Sequence, residues 1–255
     1  MTSISRIRAH NPSPMTLDGT NTYVLRSEDG ASALLIDPGP EMPDHRDAFL
    51  AEVGSARLAA IVLTHQHADH SEMLGSIDSW APEVPVHAVL DCFARHVPTV
   101  SDGDEVRFGE GASDVVRVVT TPGHTADSIS LAYGDVLFSG DTVLGQGTTV
   151  VTHPEGSLGD YLASLEKLLA LVRSGEVTRI EPAHGPTIDD PAGVLEYYIA
   201  HRKERIAQVE AAFAQGARTA EDVRDVVYAD VPENVKPAAL QIVKAQLEYL
   251  GQPVD

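Results

Sequence analysis

The chain has 255 residues, of which 43% are hydrophobic and 22% are charged, and it contains no low-complexity tract. This composition is typical of a globular protein, with room for one large domain or one domain and a small appendage. The formal net charge of −20 disfavours nucleic-acid binding, because a long polyanion would approach against the protein's own field. No apolar run approaches the roughly 20 residues that a membrane-spanning helix needs, so no membrane association is expected.

The first residues and the cysteine content indicate the compartment. Met1 to Arg8 lacks the apolar stretch of a secretory signal, and Cys92 is the only cysteine. A single cysteine cannot form an intrachain disulfide, which suits a reducing compartment. We therefore expect a cytoplasmic protein with Cys92 in its core. The sequence fixes no oligomeric state, and a homodimer is one assembly that it permits.

The first half of the chain predicts strands with helices between them. Residues 20–25 and 31–36 are rich in strand-forming residues and are separated by Asp29-Gly30, a strong hairpin signal. The patterns that follow predict, in chain order, a helix (45–53), a buried strand (58–63), a short helix (71–80) and two strands (84–89 and within 97–108).

The second half begins with the same alternation and then changes to helices alone. The patterns predict a strand (115–119), a hairpin (128–133 and 136–138), a helix (161–171) and a strand (177–180). From Pro191 onward only helices are predicted (194–213, 219–228 and 233–250), the second opening with a capping box at Thr219. We therefore predict a catalytic domain over residues 1–190 and a small helical subdomain over residues 191–255.

Metal-binding chemistry is concentrated after the strand predicted over residues 58–63. Four donor side chains lie within six residues: His65, His67, Asp69 and His70. Imidazole nitrogens and carboxylate oxygens are donors suited to zinc or iron. A zinc ion usually has four ligand positions, and a catalytic ion keeps one of them open. Four donors here and others further along the chain therefore indicate two ions.

This segment also carries a resemblance to a known family. His65-Gln66-His67-Ala68-Asp69-His70 matches the HxHxDH signature of the metallo-β-lactamase fold superfamily. Gly123-His124, Gly140-Asp141 and Ala183-His184-Gly185 follow in the order in which that superfamily presents its remaining ligands. Over nearly its whole length the chain looks most like the LACTB2-like subgroup, through residues 11–12, 19–23, 35–39, 138–145 and 201–205.

The resemblance implies an α/β fold and a division of the donors between two ions. The fold is an αββα metallo-β-lactamase sandwich, two β-sheets flanked by helices, with a small C-terminal helical subdomain that is winged-helix-like but has little room for a wing. The first ion would be held by His65, His67 and His124, the second by Asp69, His70 and His184, and both by Asp141 as a bridge. Zinc is the expected metal, two ions per chain, with iron and manganese as alternatives.

The resemblance also implies how such a centre works. Two ions about 3.5–4 Å apart can share a water and make it a hydroxide near neutral pH. Asp69 is the expected catalytic residue, because a carboxylate bound through one oxygen can orient that hydroxide and pass its proton to the leaving group.

Two further features near this set carry weaker predictions. Asp37 ends a predicted strand and either hydrogen-bonds a metal-binding histidine or stabilises its own turn. His201, Arg202 and Arg205 share a predicted helix, and they form either a solvated face paired with Glu204 or an anion contact at the mouth of the metal site.

The leading functional hypothesis is a hydrolase that acts on an ester, thioester, lactone or phosphodiester of a small molecule. One alternative is a single-stranded RNA endonuclease, as among LACTB2-like relatives, and the other is an iron-dependent oxygenase or persulfide-type enzyme of the same fold. From Pro191 to Asp255 there are seven Lys and Arg against ten Asp and Glu. The acidic tail and the net charge both make nucleic acid an unlikely partner.

Overall fold

Two five-stranded mixed β-sheets form the centre of the protein, in a computed structural model that describes residues 3–254. The first sheet contains, in spatial order, β1 (Ser3–Arg8), β2 (Asn21–Arg26), β3 (Ser32–Ile36), β4 (Arg57–Val62) and β5 (Val86–His87). The second contains, also in spatial order, β6 (Glu105–Arg107), β7 (Val115–Thr120), β8 (Ile129–Tyr133), β9 (Val136–Phe138) and β10 (Arg179–Glu181). The pairs β3/β4, β4/β5 and β9/β10 are parallel, and the remaining pairs are antiparallel.

Helices cover the outer face of each sheet. They are α1 (Pro43–Val53), α2 (Ala68–Ser71) with a 3-10 helix directly after it (Glu72–Ser79), α3 (Leu158–Arg173), α4 (Pro191–Ala214), α5 (Ala220–Val227) and α6 (Lys236–Tyr249). Helix α1 and the 3-10 helix pack on the first sheet, and α3 and α4 pack on the second. The predicted αββα sandwich is therefore confirmed. Within residues 3–254, no helix has the length and apolar character needed to cross a membrane.

The alternation of side chains along the strands builds the layers. In β2, Tyr23 and Leu25 face the second sheet, whereas Val24 between them faces α1. Successive side chains of a strand point to opposite faces, so a strand buried on both sides reads as continuously apolar. The inner layer joins the two sheets through residues such as Ile36 and Phe138. Because this layer is shared, the ends of strands from both sheets are held close to each other.

Helix α4 belongs to two clusters of buried side chains. Its first part packs on the second sheet and α3 through Leu195, Tyr198 and Ile206. Its last part packs against α5 and α6 through Val209 and Ala212. The domain boundary between residues 190 and 191 stays a prediction. Helix α4 begins at this boundary and packs against both the second sheet and the C-terminal helices. No strand follows β10 in the part of the chain described, so the tail consists of helices without a wing.

Three local expectations differ from the structure. The strand expected over 84–89 is reduced to Val86–His87. In the stretch 97–108 the strand that forms is Glu105–Arg107. Prolines and an Asp-Gly-Asp turn in these two stretches interrupt the pairing of strands. Cys92 is exposed on a loop and does not lie in the core. In addition, strand β1, which was not predicted, forms at the edge of the first sheet by antiparallel pairing with β2.

Candidate metal centre

The segment after β4 supplies four of the predicted donors. His65 and His67 lie between β4 and α2, and Asp69 and His70 lie in the first turn of α2. His65 and His70 are buried, whereas His67 and Asp69 are partly exposed. The end of a buried strand thus places two donors inside the protein and two at its surface.

The second sheet supplies the other three donors, each on a segment that follows a strand. His124 follows β7, Asp141 follows β9 and His184 follows β10. Gly123, next to His124, has a φ of +134°, and a Cβ at this position would lie 2.3 Å from backbone atoms of Tyr161 in α3. Only glycine combines this conformation with so close an approach, so Gly123 fixes how His124 enters the site.

The structure brings all seven predicted donors together in two groups. Within each group, the donor atoms all lie within 4.8 Å of one another. The first group contains His65, His67, His124 and Asp141, and the second contains Asp69, His70 and His184. In the first group, His67 Nδ1 lies 3.0 Å from both His65 Nε2 and His124 Nε2. This grouping matches the division of ligands that the resemblance implies.

Asp141 lies between the two groups. Its Oδ2 lies 3.6 Å from His124 Nε2, whereas its Oδ1 lies 3.2 Å from His184 Nε2 and 3.6 Å from His70 Nε2. In the second group, Asp69 Oδ2 lies 3.2 Å from His184 Nε2 and 3.4 Å from His70 Nε2. One carboxylate thus presents one oxygen to each group, which is the arrangement expected of a bridging ligand.

Unpaired buried atoms test whether these residues fit a metal ion. In the described part of the chain, His70 Nε2, His184 Nε2 and Asp141 Oδ1 are buried without a hydrogen-bond partner. Leaving buried polar atoms unpaired is costly. A cation among these three atoms would satisfy them all, so the donors fit a divalent metal ion. Their chemistry suits zinc and also iron or manganese, and it does not choose among these metals.

The pKa values of the donors reflect the same crowding of charge. Burial lowers the pKa of His184, but Asp141 raises it, and the result is a pKa of about 9. Burial also lowers the pKa of His70, but the charges of Asp141 and Asp37 raise it well above its ordinary value. Burial raises the pKa of Asp141, yet His70 and His184 bring it well below the usual range. Without a metal, imidazolium protons balance the carboxylates, and metal binding would release these protons.

Asp37 orients His70 from outside the donor set. Its Oδ2 lies 2.8 Å from His70 Nδ1 and accepts a 2.7 Å hydrogen bond from Thr64 Oγ1, while its Oδ1 accepts one of 2.7 Å from the Thr64 backbone N–H. The carboxylate is 1% exposed. Of the two readings of Asp37, the hydrogen bond to a metal-site histidine is confirmed. Such a bond fixes the imidazole tautomer and directs Nε2 towards the centre.

Two other imidazoles are oriented by backbone carbonyls. His124 Nδ1 lies 2.8 Å from the Val150 oxygen, and His184 Nδ1 lies 3.2 Å from the Gly19 oxygen. In each case the nitrogen that bonds the carbonyl carries the proton, which leaves Nε2 free to bind a metal. The two carbonyls thereby favour, in each neutral histidine, the tautomer whose Nε2 faces the centre.

Two residues that lie against the donors were not among the predicted site residues. Glu155 Oε1 lies 3.3 Å from His67 Nε2 and accepts a 2.9 Å hydrogen bond from Gln66. Thr20 Oγ1 donates to Asp69 Oδ2 at 3.2 Å. Thr20 lies within residues 19–23, one of the segments that carry the family resemblance, so the sequence did mark its neighbourhood. Glu155 is far from the donors along the chain and no local pattern marks it.

His201, Arg202 and Arg205, for which the sequence allowed either a solvated helix face or an anion contact at the metal site, differ in their burial and in their partners. Arg202 is only 5% exposed and donates a hydrogen bond to the Thr149 carbonyl. Arg205 lies over the ring of Tyr228, and His201 stacks against another aromatic side chain of α4. Arg202 belongs to the side of α4 that packs on the second sheet, whereas His201 and Arg205, four residues apart, lie on a partly exposed side.

A two-sheet sandwich with a His-x-His-x-Asp-His turn and an aspartate between two histidine groups defines a class of proteins. The chain belongs to that class: residues 15–184 match the family model described as metallo-beta-lactamase superfamily. The chain is also 38% identical over 263 residues to a beta-lactamase-like protein 2 homolog from Caenorhabditis elegans, covering 97% of this chain and 84% of that protein. The resemblance to the LACTB2-like subgroup is thereby confirmed.

Two other comparisons extend this result. The chain is 31% identical over 221 residues to an atrochrysone carboxyl ACP thioesterase from Cryptosporiopsis sp. (strain 8999), covering 83% of this chain and 63% of that protein. A solved structure of a beta-lactamase domain protein from Burkholderia ambifaria has a TM-score of 0.80 at 22% identity, covering 97% of this chain and 85% of that chain. The structural likeness shows the fold alone.

The first prediction concerns metal content. We expect the protein, reconstituted with zinc and dialysed, to retain up to two ions per chain, because its donors form two groups. Elemental analysis measures this directly. His124→Asn should lower the content towards one ion, whereas His10→Asn, outside the centre, should leave it unchanged. Fewer than about 0.2 equivalents of any transition metal after reconstitution would rule out the centre.

The second prediction concerns Asp37→Asn. Asparagine tolerates the φ of +50° at this position but offers one acceptor oxygen where the carboxylate offers two, so His70 loses its fixed orientation. We expect about 10- to 100-fold weaker binding of one of two metal equivalents, measured by competition with a chromophoric chelator. Asp47→Asn, on the exposed side of α1, is the matched control. Unchanged affinity in a folded Asp37→Asn protein would contradict this role.

Proposed function

We propose that the protein is a metal-dependent hydrolase that uses two divalent ions to cleave an ester-, thioester- or lactone-like bond in a small molecule. The observation that carries this proposal is the position of Asp141, with one oxygen towards each group of donors. A relative named as a thioesterase supports an acyl substrate for a centre of this kind. Zinc is the metal we propose, and iron and manganese remain compatible with the donors.

The donor residues have the roles of holding the ions and fixing their positions. His65, His67 and His124 would hold one ion, Asp69, His70 and His184 the other, with Asp141 shared between them. Two bound divalent ions would supply Lewis acidity and lower the pKa of a water towards neutrality. Asp37 would keep His70 aligned through its hydrogen bond, and Glu155, 3.3 Å from His67 Nε2, would help to orient His67, because both carboxylates approach the nitrogen that faces away from the centre.

Asp69 is the residue we assign to proton transfer. In the hydrolysis, the oxygen of water bonds to the carbonyl carbon, the bond from that carbon to oxygen or sulfur breaks, and the leaving group takes a proton. Burial raises the pKa of Asp69, but hydrogen bonds and charges of His184 and His70 bring it well below its usual range, so the carboxylate is ionised and can accept hydrogen bonds. Its Oδ2 is held by Thr20, which leaves its other oxygen to carry the proton.

Composition supports two accompanying proposals. The single cysteine supports a cytoplasmic location, because it cannot form an intrachain disulfide. The net charge of −20 supports a small-molecule substrate, because each phosphate of a bound strand would need its own cation.

The third prediction tests the role of Asp69. In Asp69→Asn we expect hydrolysis to fall by at least ~100-fold, the usual scale for losing a positioned acid or base, while the first group keeps its ion. Steady-state rates and metal content are measured on the same preparation. Asp91→Asn, at an exposed position outside the centre, is the control. Full activity in a metal-loaded Asp69→Asn protein would remove the proton-transfer role.

The fourth prediction tests the class of reaction. The zinc-loaded protein is assayed against generic thioesters, esters, lactones, phosphodiesters and short single-stranded RNA, each with a chelator control, and oxygen consumption is followed in parallel. We expect chelator-sensitive cleavage of an ester, thioester or lactone to be fastest. Faster chelator-sensitive cleavage of RNA would assign an endonuclease, and metal-dependent oxygen uptake would assign a redox enzyme.

A further inference from the structure

A cavity of about 160 Å³ lies directly beside the candidate metal centre and has two of its donors, His124 and Asp141, in its lining. The rest of the lining comes from two segments. One is the turn of residues 13–17, here called the N-terminal turn, and the other is the loop of residues 144–150, here called the 144–150 loop. A substrate that reaches the donors through this cavity must therefore pass between these two segments.

The lining away from the donors is mostly apolar and carries no charge. Pro14, Met15, Leu17, Leu144 and Val150 contribute apolar surface, and the remaining side chains of the lining are uncharged. Among the residues that line the cavity in the described chain there is no Lys or Arg. An anionic group would find no counter-charge there except the metal ions themselves. The cavity therefore suits an uncharged apolar group.

The N-terminal turn is held in place by its own hydrogen bonds. The Ser13 backbone N–H donates to the Leu17 oxygen at 3.2 Å, and Thr16 Oγ1 donates to the Asn11 oxygen at 2.5 Å. The Asn11 side chain in turn bonds Thr20 at its backbone N–H and its hydroxyl. Since this wall of the cavity is tied together internally, its shape exists before a substrate binds.

The 144–150 loop is held at both ends by α4. The Leu144 backbone N–H donates to Tyr198 Oη at 3.0 Å, and Arg202 donates to the Thr149 carbonyl. Thr149 Oγ1 donates at 2.7 Å to the backbone oxygen of Asp141. Both walls of the cavity are therefore held in place by contacts within the protein.

We propose that this cavity binds the acyl group of the substrate, and that this group is uncharged, apolar and no larger than one aromatic ring or a short aliphatic chain. The inference rests on the proposed hydrolase function and adds a substrate class to it. An apolar cavity of about 150 Å³ binds a benzene ring, which fixes the size. The carbonyl carbon lies at the donors, the acyl chain lies between the two walls, and Leu17 and Leu144 determine its length.

The kinetic test uses thioesters of N-acetylcysteamine with acyl groups from acetyl to dodecanoyl, and with benzoyl, hydrolysed by the zinc-loaded enzyme. We expect kcat/KM to rise about fourfold per methylene until the cavity is filled, because each buried methylene adds apolar contact, and then to fall. A rate independent of chain length, or one that rises without a maximum up to dodecanoyl, would overturn the proposal.

Two substitutions should move the optimum in opposite directions. Leu17→Ala enlarges the cavity and should favour longer chains, and it adds no backbone strain because leucine already occupies a φ of +55° there. Leu144→Phe narrows the cavity and should favour shorter chains. Val226→Ala, at an exposed position of α5, is the control and should leave the optimum unchanged. Thermal melts establish that each variant is folded, and an optimum that moves in neither lining variant would refute the assignment.

A binding measurement without turnover separates this inference from the proposed function. The four methionines are labelled with ¹³C at their methyl groups, and the zinc-loaded protein is titrated with benzyl alcohol, 1-butanol and glycerol. The Met15 signal should shift saturably with the two apolar alcohols and not with glycerol, whereas Met73, buried in another cluster, should not move. An unmoved Met15 signal would count against the cavity. A shift without hydrolysis of any thioester would count against the hydrolase alone.

Discussion

The carboxylate of Asp141 imposes the constraint on which the site depends. It is largely enclosed by protein, and the imidazoles of His70, His124 and His184 lie within 3.6 Å of its oxygens. An ionised carboxylate away from water needs positive charge nearby, because its desolvation costs several kcal/mol. Among the described residues, the groups placed to supply that charge are the imidazoles when protonated, and metal ions are the other source. The site is therefore arranged for cations, and its protonated form without metal is the alternative that an ion must displace.

Meeting this constraint requires both sheets. The segment after β4 brings imidazoles from the first sheet, and the segments after β7, β9 and β10 bring the rest from the second. The inner apolar layer, with Leu25 and Ile36 on one side and Val118 and Phe138 on the other, holds these strand ends together. A substitution that opened this layer would separate the two groups of donors without touching any of them. Stability and metal affinity are consequently linked in this fold.

Sequence patterns predicted the parts of the structure that depend on local information. The density of donors between His65 and His70 is visible in the sequence, and so are the strands that end before them, because apolar runs and turn residues are local signals. Glu155 was not predictable, since its contact with His67 joins segments that only the packed sheets bring together. The helical period placed Arg202 on α4 correctly but could not tell which side of α4 faces the second sheet.

Arg202 shows why that side of α4 matters to the centre. It is a buried guanidinium without an ion pair to a carboxylate among the described residues, and its Nε has no hydrogen-bond partner there. The ring of Tyr161, 5.3 Å from the guanidinium carbon, offsets part of the desolvation cost. Arg202 also donates a hydrogen bond to the carbonyl of Thr149, whose hydroxyl bonds the backbone oxygen of Asp141. Through this short chain of contacts, a helix that also packs against the C-terminal helices positions the residue shared by both groups of donors.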